Sequence, residues 1–492
     1  MRRVWRVADV RTAEKALMAT LPPGTLMARA ASGLARRCVE LLADRYGSVY
    51  GRSTLLLVGA GDNGGDALFA GALLCRRGVA VRALLLDPER VHRDGLASLV
   101  AAGGRAVEVV PASCDLVVDG IVGIGGHSPL RPLAADVVFA VQRALAADGA
   151  RPVIVAVDLP SGVDVDTGHV DGPAVYADVT VAFGCLKPAL VVGPAAPLAG
   201  YVDLVDIGLE PWLRGGAALS IAEADDVASW WPQPGAGSDK YTRGVVGVAT
   251  GSDDYPGAAL LSVAGASAGP AGMVRYAGGA GDLVRAAHPP VIVSSRVGDA
   301  GRVQAWTCGS GFGTDDRALR EVRAVLAARV PVCLDADGLT LISDGRTAET
   351  ADILRGRSAP LVVTPHDREF ARLAGHAIGP DRVEAALALA AKMRATVLLK
   401  GDRTVIASPD GTAWVNPTGT PVLATGGSGD VLAGLIGSLL AAGLAPVRAA
   451  VAGAYVHGLA GRIAGAGGRP VTSADVAAAL PAAIGSLISS RR

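Results

Sequence analysis

Residues Thr425-Gly426-Gly427-Ser428-Gly429-Asp430-Val431-Leu432-Ala433-Gly434-Leu435-Ile436 run from a glycine-rich loop straight into an apolar helix. Glycines let a backbone turn sharply and come close to a ligand, and the free N–H groups of a helix N-terminus favour an anion. The N–H groups of Gly427 to Asp430 are therefore expected to converge on one spot, a cradle for phosphate. Asp430 stands at the helix entrance. There a carboxylate is either an N-cap or a base taking the proton of a hydroxyl that attacks a phosphoryl group. The loop alone leaves these two roles evenly matched.

Outward from that loop, one rhythm repeats: a short β-branched or leucine run, a Gly/Asp turn, then an Ala/Leu-rich helical stretch. STLLLVGAGDNGGD, CDLVVDGIVGIGG and PVIVAVDLPSG show it early, and GVVGVATGSDD, VPVCLDADG, APLVVTPHD and ATVLLKGD show it late. Continuous apolar strands are buried on both faces, and strands alternating with helices make a helix-covered parallel sheet. The expected class is α/β in two domains: a Rossmann-like three-layer parallel sheet at residues 1–213 and a ribokinase-like three-layer domain at residues 236–492. The mixed segment 214–235, ending in SWWPQPGAG, reads as a linker.

The chain of 492 residues is too long for one ordinary core, and its 50% apolar content fills two. Net charge is zero and long basic runs are absent, so neither nucleic acid nor a membrane is expected as a partner. The six cysteines stand apart, without a CxxC pair, and read as buried reduced thiols of a cytoplasmic protein. No signal peptide and no transmembrane helix are expected from the apolar stretches.

In the first half, Gly59-Ala60-Gly61-Asp62-Asn63-Gly64-Gly65-Asp66 follows the strand LLLV. It is neither a dinucleotide fingerprint nor a P-loop, because the third glycine is misplaced and no GK[ST] follows. Its acids and amide suit a cation or ribose hydroxyls. Asp119 ends LVVD and Asp158 ends VIVAVD. Ligands bind at the carboxyl ends of parallel strands, so three acid-bearing strand ends suggest a shared site, although each acid alone also fits an N-cap or turn role. Lys187, in FGCLKPAL, reads as a solvated lysine that could alternatively touch a phosphate.

With VADVRTAEKAL, DNGGDA, DGIVGIGGHSPLRP and DLPSGVDVDTG, the first half resembles the NAD(P)H-hydrate epimerase family, the YjeF N-terminal domain, over about residues 5–212. The resemblance implies potassium held near Asn63, Asp119 and Ser161. It implies substrate contacts at Asp62, Asn63, Gly64, Gly65 and Asp66, at Gly123, Ile124, Gly125, Gly126, His127, Ser128 and Pro129, and at Asp158. Oxygen donors suit a hard cation. Epimerisation at a hydroxyl-bearing carbon needs an acid/base group near the ring, for which Asp158 is the choice.

In the second half, the strand TVLL ends in Lys400-Gly401-Asp402-Arg403-Thr404, and a further strand leads through VNPTGTPVLATGG to the GGSGD loop. This order resembles ribokinase-like folds. With KYTRGVVGVATGSDDYPGAALLSVAGASAGPAGMV, CGSGFGTDD, VVTPHDREFARL and AYVHGLAG added, residues 238–480 resemble the ADP/ATP-dependent NAD(P)H-hydrate dehydratase family, the YjeF C-terminal domain. That resemblance implies that Ala258, Gly311 and His366 contact the hydrated dinucleotide. It also implies that Lys400, Gly401, Asp402, Arg403, Thr404 and Gly429 hold ADP or ATP with magnesium, and that Asp430 activates the hydrate hydroxyl. Asp335 and Asp337, in LDADG, read as turn caps, with a part in placing the substrate as the alternative. The expected substrates are NADHX and NADPHX, in a homo-oligomer. Two other readings remain: a ribokinase-like kinase of a small alcohol or vitamin fused to a binding domain, and a nucleotide sensor with a decayed epimerase site.

Overall fold

A computed structural model of the chain describes residues 1–147, 151–343 and 348–489. After a short first strand, β1 (Arg2–Val4), the chain forms two compact units, Arg3–Ala218 and Leu219–Arg492, the latter joined by Met1–Arg2.

The N-terminal unit holds β2 (Ser53–Val58), β3 (Ala80–Leu85), β4 (Arg105–Val107), β5 (Leu116–Gly120), β6 (Val153–Val157), β7 (Val179–Phe183) and β8 (Tyr201–Val205). They form one parallel sheet in the order β4-β3-β2-β5-β6-β7-β8. The pleat sends alternate residues to opposite faces. Leu56 and Val58 join a core with Leu34, Leu42 and Leu68 of two helices, while Leu55 and Leu57 join Val138 and Val141 of another. Strand order reverses between β2 and β5, and a crevice opens outside their carboxyl ends. Glycine is obligatory at that crossing. A Cβ on Gly59 would lie 1.9 Å from the Ile121 carbonyl oxygen.

The C-terminal unit holds β9 (Leu219–Ile221), β10 (Val245–Ala249), β11 (Met273–Ala277), β12 (Ile292–Ser294), β13 (Ala305–Cys308), β14 (Val332–Leu334), β15 (Leu361–Val363), β16 (Thr396–Leu399), β17 (Val405–Ala407) and β18 (Ala413–Val415). Their order is β9-β18-β17-β16-β15-β14-β13-β10-β11-β12. β16 to β12 run parallel, and β17 is antiparallel to both neighbours. The helix Ser428–Ala441 is buried along nearly its whole length. It meets the helix Pro256–Ala268 at backbone distance. A Cβ on Gly434 would lie 2.0 Å from the Ser262 carbonyl oxygen, and one on Gly265 would lie 2.1 Å from that of Val431.

The segment 214–235, expected as a linker, is instead built into the second unit for most of its length. β9 pairs with β18, and the helix Ala224–Trp230 follows with a reciprocal capping box between Glu223 and Asp226. Leu219, Ile221, Val227 and Trp231 are buried. Their apolar surface supplies the driving force that a solvated linker lacks.

Candidate functional site

A cleft of about 1030 Å³ in the N-terminal unit lies over the β2/β5 crossing. The helix Asp62–Cys75 begins on this cleft, so Asp62 to Asp66 form its first turns rather than a free loop. Its start is drawn close because a Cβ on Gly64 would meet the Gly59 carbonyl oxygen at 2.3 Å. Asp62, Asn63, Asp66, Gly123, Ile124, Gly125 and Asp158 all line the cleft, whereas Gly64 and Gly65 serve as buried packing positions beside it. Gly126, His127, Ser128 and Pro129 are not among its lining residues. His127 is exposed, 3.9 Å from Asp164, and the Ser128 hydroxyl is bound to the Asp171 backbone.

Asp119 is wholly buried at the end of β5. Its carboxylate accepts the Ser161 hydroxyl at 2.7 Å, the Ser161 N–H at 2.8 Å and the Ile121 N–H at 3.3 Å. The Ser161 hydroxyl also accepts from Val122 N at 3.1 Å. The Asn63 amide faces Gly123, where a Cβ would lie 2.6 Å from Asn63 Oδ1, and its Nδ2 is buried without a hydrogen-bond partner. Burial pushes the Asp119 carboxyl up to about 6, against the pull of its hydrogen bonds from Ser161 and Ile121. All its partners are neutral. Among the described residues no cluster of three or more His, Cys, Asp or Glu side chains could hold a metal ion.

Asp158 has φ 64, in the left-handed region that few non-glycine residues occupy. Its N–H donates to Val181 O, and its carboxylate accepts from Phe183 N at 3.1 Å. It also pairs with Lys187 Nζ at 2.5 Å, and Nζ donates to Phe183 O at 2.9 Å. Lys187, expected to be solvated, is 1% exposed. A buried ammonium persists only when paired, and Asp158 is the pair. Burial alone would lower the Lys187 pKa; the Asp158 charge and hydrogen bond outweigh it and raise it. Glu14, from the helix Val7–Met18, lines the same cleft and was not singled out in the sequence. Burial raises its carboxyl, against the nearby Lys187 charge. An acid in an otherwise apolar helical stripe was the available signal.

A second cleft, of about 750 Å³, lies in the C-terminal unit. Ala258, Gly311 and Asp430 line it together, with Asp337, Gly426 and Gly427. A Cβ on Gly311 would lie 2.6 Å from Ala258 Cβ, so these two positions form one wall. Gly427 caps the helix Ser428–Ala441 at φ 86. The expected convergence of four N–H groups is only partly present. Ser428 N turns back onto Thr425 O and Asp430 N onto Gly427 O, as turn geometry requires.

Behind the cleft is a buried polar knot. Asp335 accepts from Lys400 Nζ at 2.7 Å, Thr364 Oγ1 at 2.8 Å and Ser310 Oγ at 3.2 Å. Asp335 is therefore more than a turn cap, whereas Asp337 does fix a turn by accepting from Gly313 N. A Cβ on Gly429 would lie 3.5 Å from Lys400 Nζ, which ties the KGDRT turn to the GGSGD loop. Burial and then the Asp335 charge push the Asp430 carboxyl up to about 7, against Ser310 and Lys400. The rest of the turn is braced rather than free. Arg382 donates to Lys400 O at 3.0 Å and Thr404 Oγ1 to Gly401 O at 3.0 Å, while Arg403 pairs with Asp402 at 3.6 Å. His366 caps the helix Asp367–Ala374. Its Nδ1 accepts from Arg368 N and Glu369 N, and its half-exposed ring is not among the residues lining the cleft. His457, unassigned in the sequence, is buried beside the loop, with Nε2 unpartnered, and burial lowers its pKa to about 4.

Both sites thus gather residues from strand ends that are far apart in sequence. The NAD(P)H-hydrate dehydratase family matches residues 246–481, and the family of YjeF-related protein N-termini matches residues 23–189. The bifunctional NAD(P)H-hydrate repair enzyme Nnr of Mycobacterium tuberculosis (strain H37Rv) is 50% identical over 450 residues, which are 92% of this chain and 91% of that protein. The chain belongs to the bifunctional NAD(P)H-hydrate repair enzyme family. The Mycobacterium leprae (strain TN) member is 49% identical over 466 residues, 95% of each chain. A ribokinase-like superfamily protein from Enterococcus faecalis has the fold of the C-terminal unit, with a TM-score of 0.50 and 24% identity over 56% of this chain and 98% of its own. Repair-enzyme membership accounts for two sites of different chemistry on one chain. Among the described residues no helix is long and apolar enough to cross a membrane.

Proposed function

We propose that this chain returns hydrated nicotinamide cofactors to use: the N-terminal cleft interconverts the R and S hydrates, and the C-terminal cleft dehydrates the S form at the expense of ADP or ATP. The observation that carries this is Asp430, a carboxyl at a helix N-terminus that shares a cleft with Ala258 and Gly311 and has Lys400 behind it. Hydroxide is a poor leaving group. Asp430 takes the proton of the ring hydroxyl as it attacks the terminal phosphoryl group; the ring nitrogen then expels phosphate to leave a C=N bond, and loss of a proton from the adjacent ring carbon to water forms the C=C bond and returns the electron pair to nitrogen. Lys400 and the start of the Ser428–Ala441 helix stabilise the phosphoryl charge. Magnesium neutralises nucleotide phosphates when bound.

In the first cleft, Asp119, the Ser161 hydroxyl and the Asn63 amide are the donors for potassium. An all-oxygen set around a buried carboxylate with only neutral partners fits a monovalent hard cation. Asp158, paired with Lys187 at 2.5 Å, is the base beside the ring. The test follows dihydronicotinamide absorbance recovered from a mixed R/S hydrate with ADP or ATP. Wild type converts both epimers, Asp430→Asn recovers nothing, and Asp158→Asn stops after the S fraction. Full recovery by Asp430→Asn would sink the dehydratase mechanism.

A further inference from the structure

We propose that Asp66 is the proton donor of the first cleft, acting on the ring hydroxyl while Asp158 acts as base. The inference rests on the epimerase reading of that cleft. Asp66 comes from the helix Asp62–Cys75 and Asp158 from the end of β6, and both line one cavity. Their surroundings are opposite. Asp158 has an ammonium at 2.5 Å and a backbone N–H at 3.1 Å. Asp66 is 8% exposed, and its Oδ1 is buried without any hydrogen-bond partner. A buried carboxylate with no donor is unfavourable, whereas the protonated acid tolerates such a place.

The groups around it act in one direction. Burial comes first, then the charges of Asp158, Asp62 and Glu14, and all raise the Asp66 pKa well above the usual carboxylate range. Of the cations nearby, Lys187 is engaged by Asp158 and Phe183 O, while Arg76 lines the cleft together with Asp94. Arg11 and His92 also line the cleft, and His92 Nδ1 accepts from Gly95 N. One cleft thus holds a carboxyl whose buried oxygen lacks a donor and a second one paired with an ammonium, the contrast of surroundings that assigns acid and base roles elsewhere.

The step balances. Asp66 gives its proton to the hydroxyl oxygen, and the carbon–oxygen bond breaks with its electron pair leaving on water. The ring-nitrogen lone pair closes a C=N bond. Water then adds to the other face of that carbon, the C=N pair returns to nitrogen, and Asp158 accepts the proton released by the water. Exchange with solvent returns a proton to Asp66 and removes one from Asp158.

The test measures R-to-S conversion by the full-length protein across pH. Asp66→Asn lowers the rate by about 10²–10⁴-fold with KM little changed, and Asp66→Glu restores part of it. The wild-type rate falls at the alkaline end, as the acid loses its proton, and Asp66→Asn lacks that limb. The unfolding temperature of Asp66→Asn stays at or above wild type, because the carboxyl removed had no partner on Oδ1. If Asp66→Asn keeps a rate within about threefold of wild type while Asp158→Asn is slow, this proposal falls and the epimerase reading stands. If wild type itself does not interconvert the hydrates, both fall.

Discussion

Replacing Lys187 with Met removes the ammonium at 2.5 Å from Asp158 and leaves a carboxylate that is 6% exposed with only the Phe183 N–H. Breaking a buried ion pair from one side typically costs about 3–5 kcal/mol, because the surviving charge is left without compensation. For a unit of this size, about 2–4 °C per kcal/mol implies a fall of roughly 6–20 °C in its unfolding temperature. The loss has a pH signature. The raised Lys187 pKa gives stability that is complete below its unfolded value and lost only as pH rises through the folded one, in the alkaline range. Calorimetry of wild type, Lys187→Met and Lys187→Met/Asp158→Asn checks this, with the C-terminal transition as an internal reference. The double variant is expected to recover most of the loss. A single variant within about 1 kcal/mol of wild type, or a double variant no better than the single, would refute the reasoning.

Two further outcomes follow from the carboxyls displaced by burial. The Asp430 carboxyl, near 7, must be ionised to act as base, so dehydration kcat/KM climbs as pH rises through about 7 and then levels. Its folded pKa lies above its unfolded one, so stability is present at low pH and lost through about 7; Asp430→Asn is then inactive yet more stable than wild type under alkaline conditions, as paired rate and melting profiles test. The Asp119 carboxyl, pushed to about 6, carries the same sign, so added potassium raises the melting temperature of the N-terminal unit above that pH and has little effect well below it. A cation-independent melt throughout would remove potassium from Asp119.

The parallel sheets, the strand-end positions of Asp119 and Asp158 and the helix-entrance position of Asp430 are legible in the sequence, because continuous apolar runs and glycine turns report local rules. What sequence could not convey was pairing over distance. Lys187 looked solvated because its partner lies 29 residues away, and Asp335 looked like a turn cap because Lys400 lies 65 residues away. His366, a substrate contact by the family resemblance, is held by a local capping box with Glu369 three residues on. The 214–235 segment reads as a linker from the Pro and Gly at its end, whereas Leu219, Ile221 and Trp231 are buried by a neighbouring strand and core that lie far off in sequence.

The glycine contacts between the helices Pro256–Ala268 and Ser428–Ala441 constrain how the second cleft can move. Backbones that touch at Gly434–Ser262 and Gly265–Val431 leave no side-chain layer to slide or rotate. The helix bearing the base and the helix bearing Ala258 therefore travel as one solid block. Slow backbone amide exchange is therefore expected along the paired helices, slower than at the exposed Gly401–Asp402 tip of the neighbouring turn.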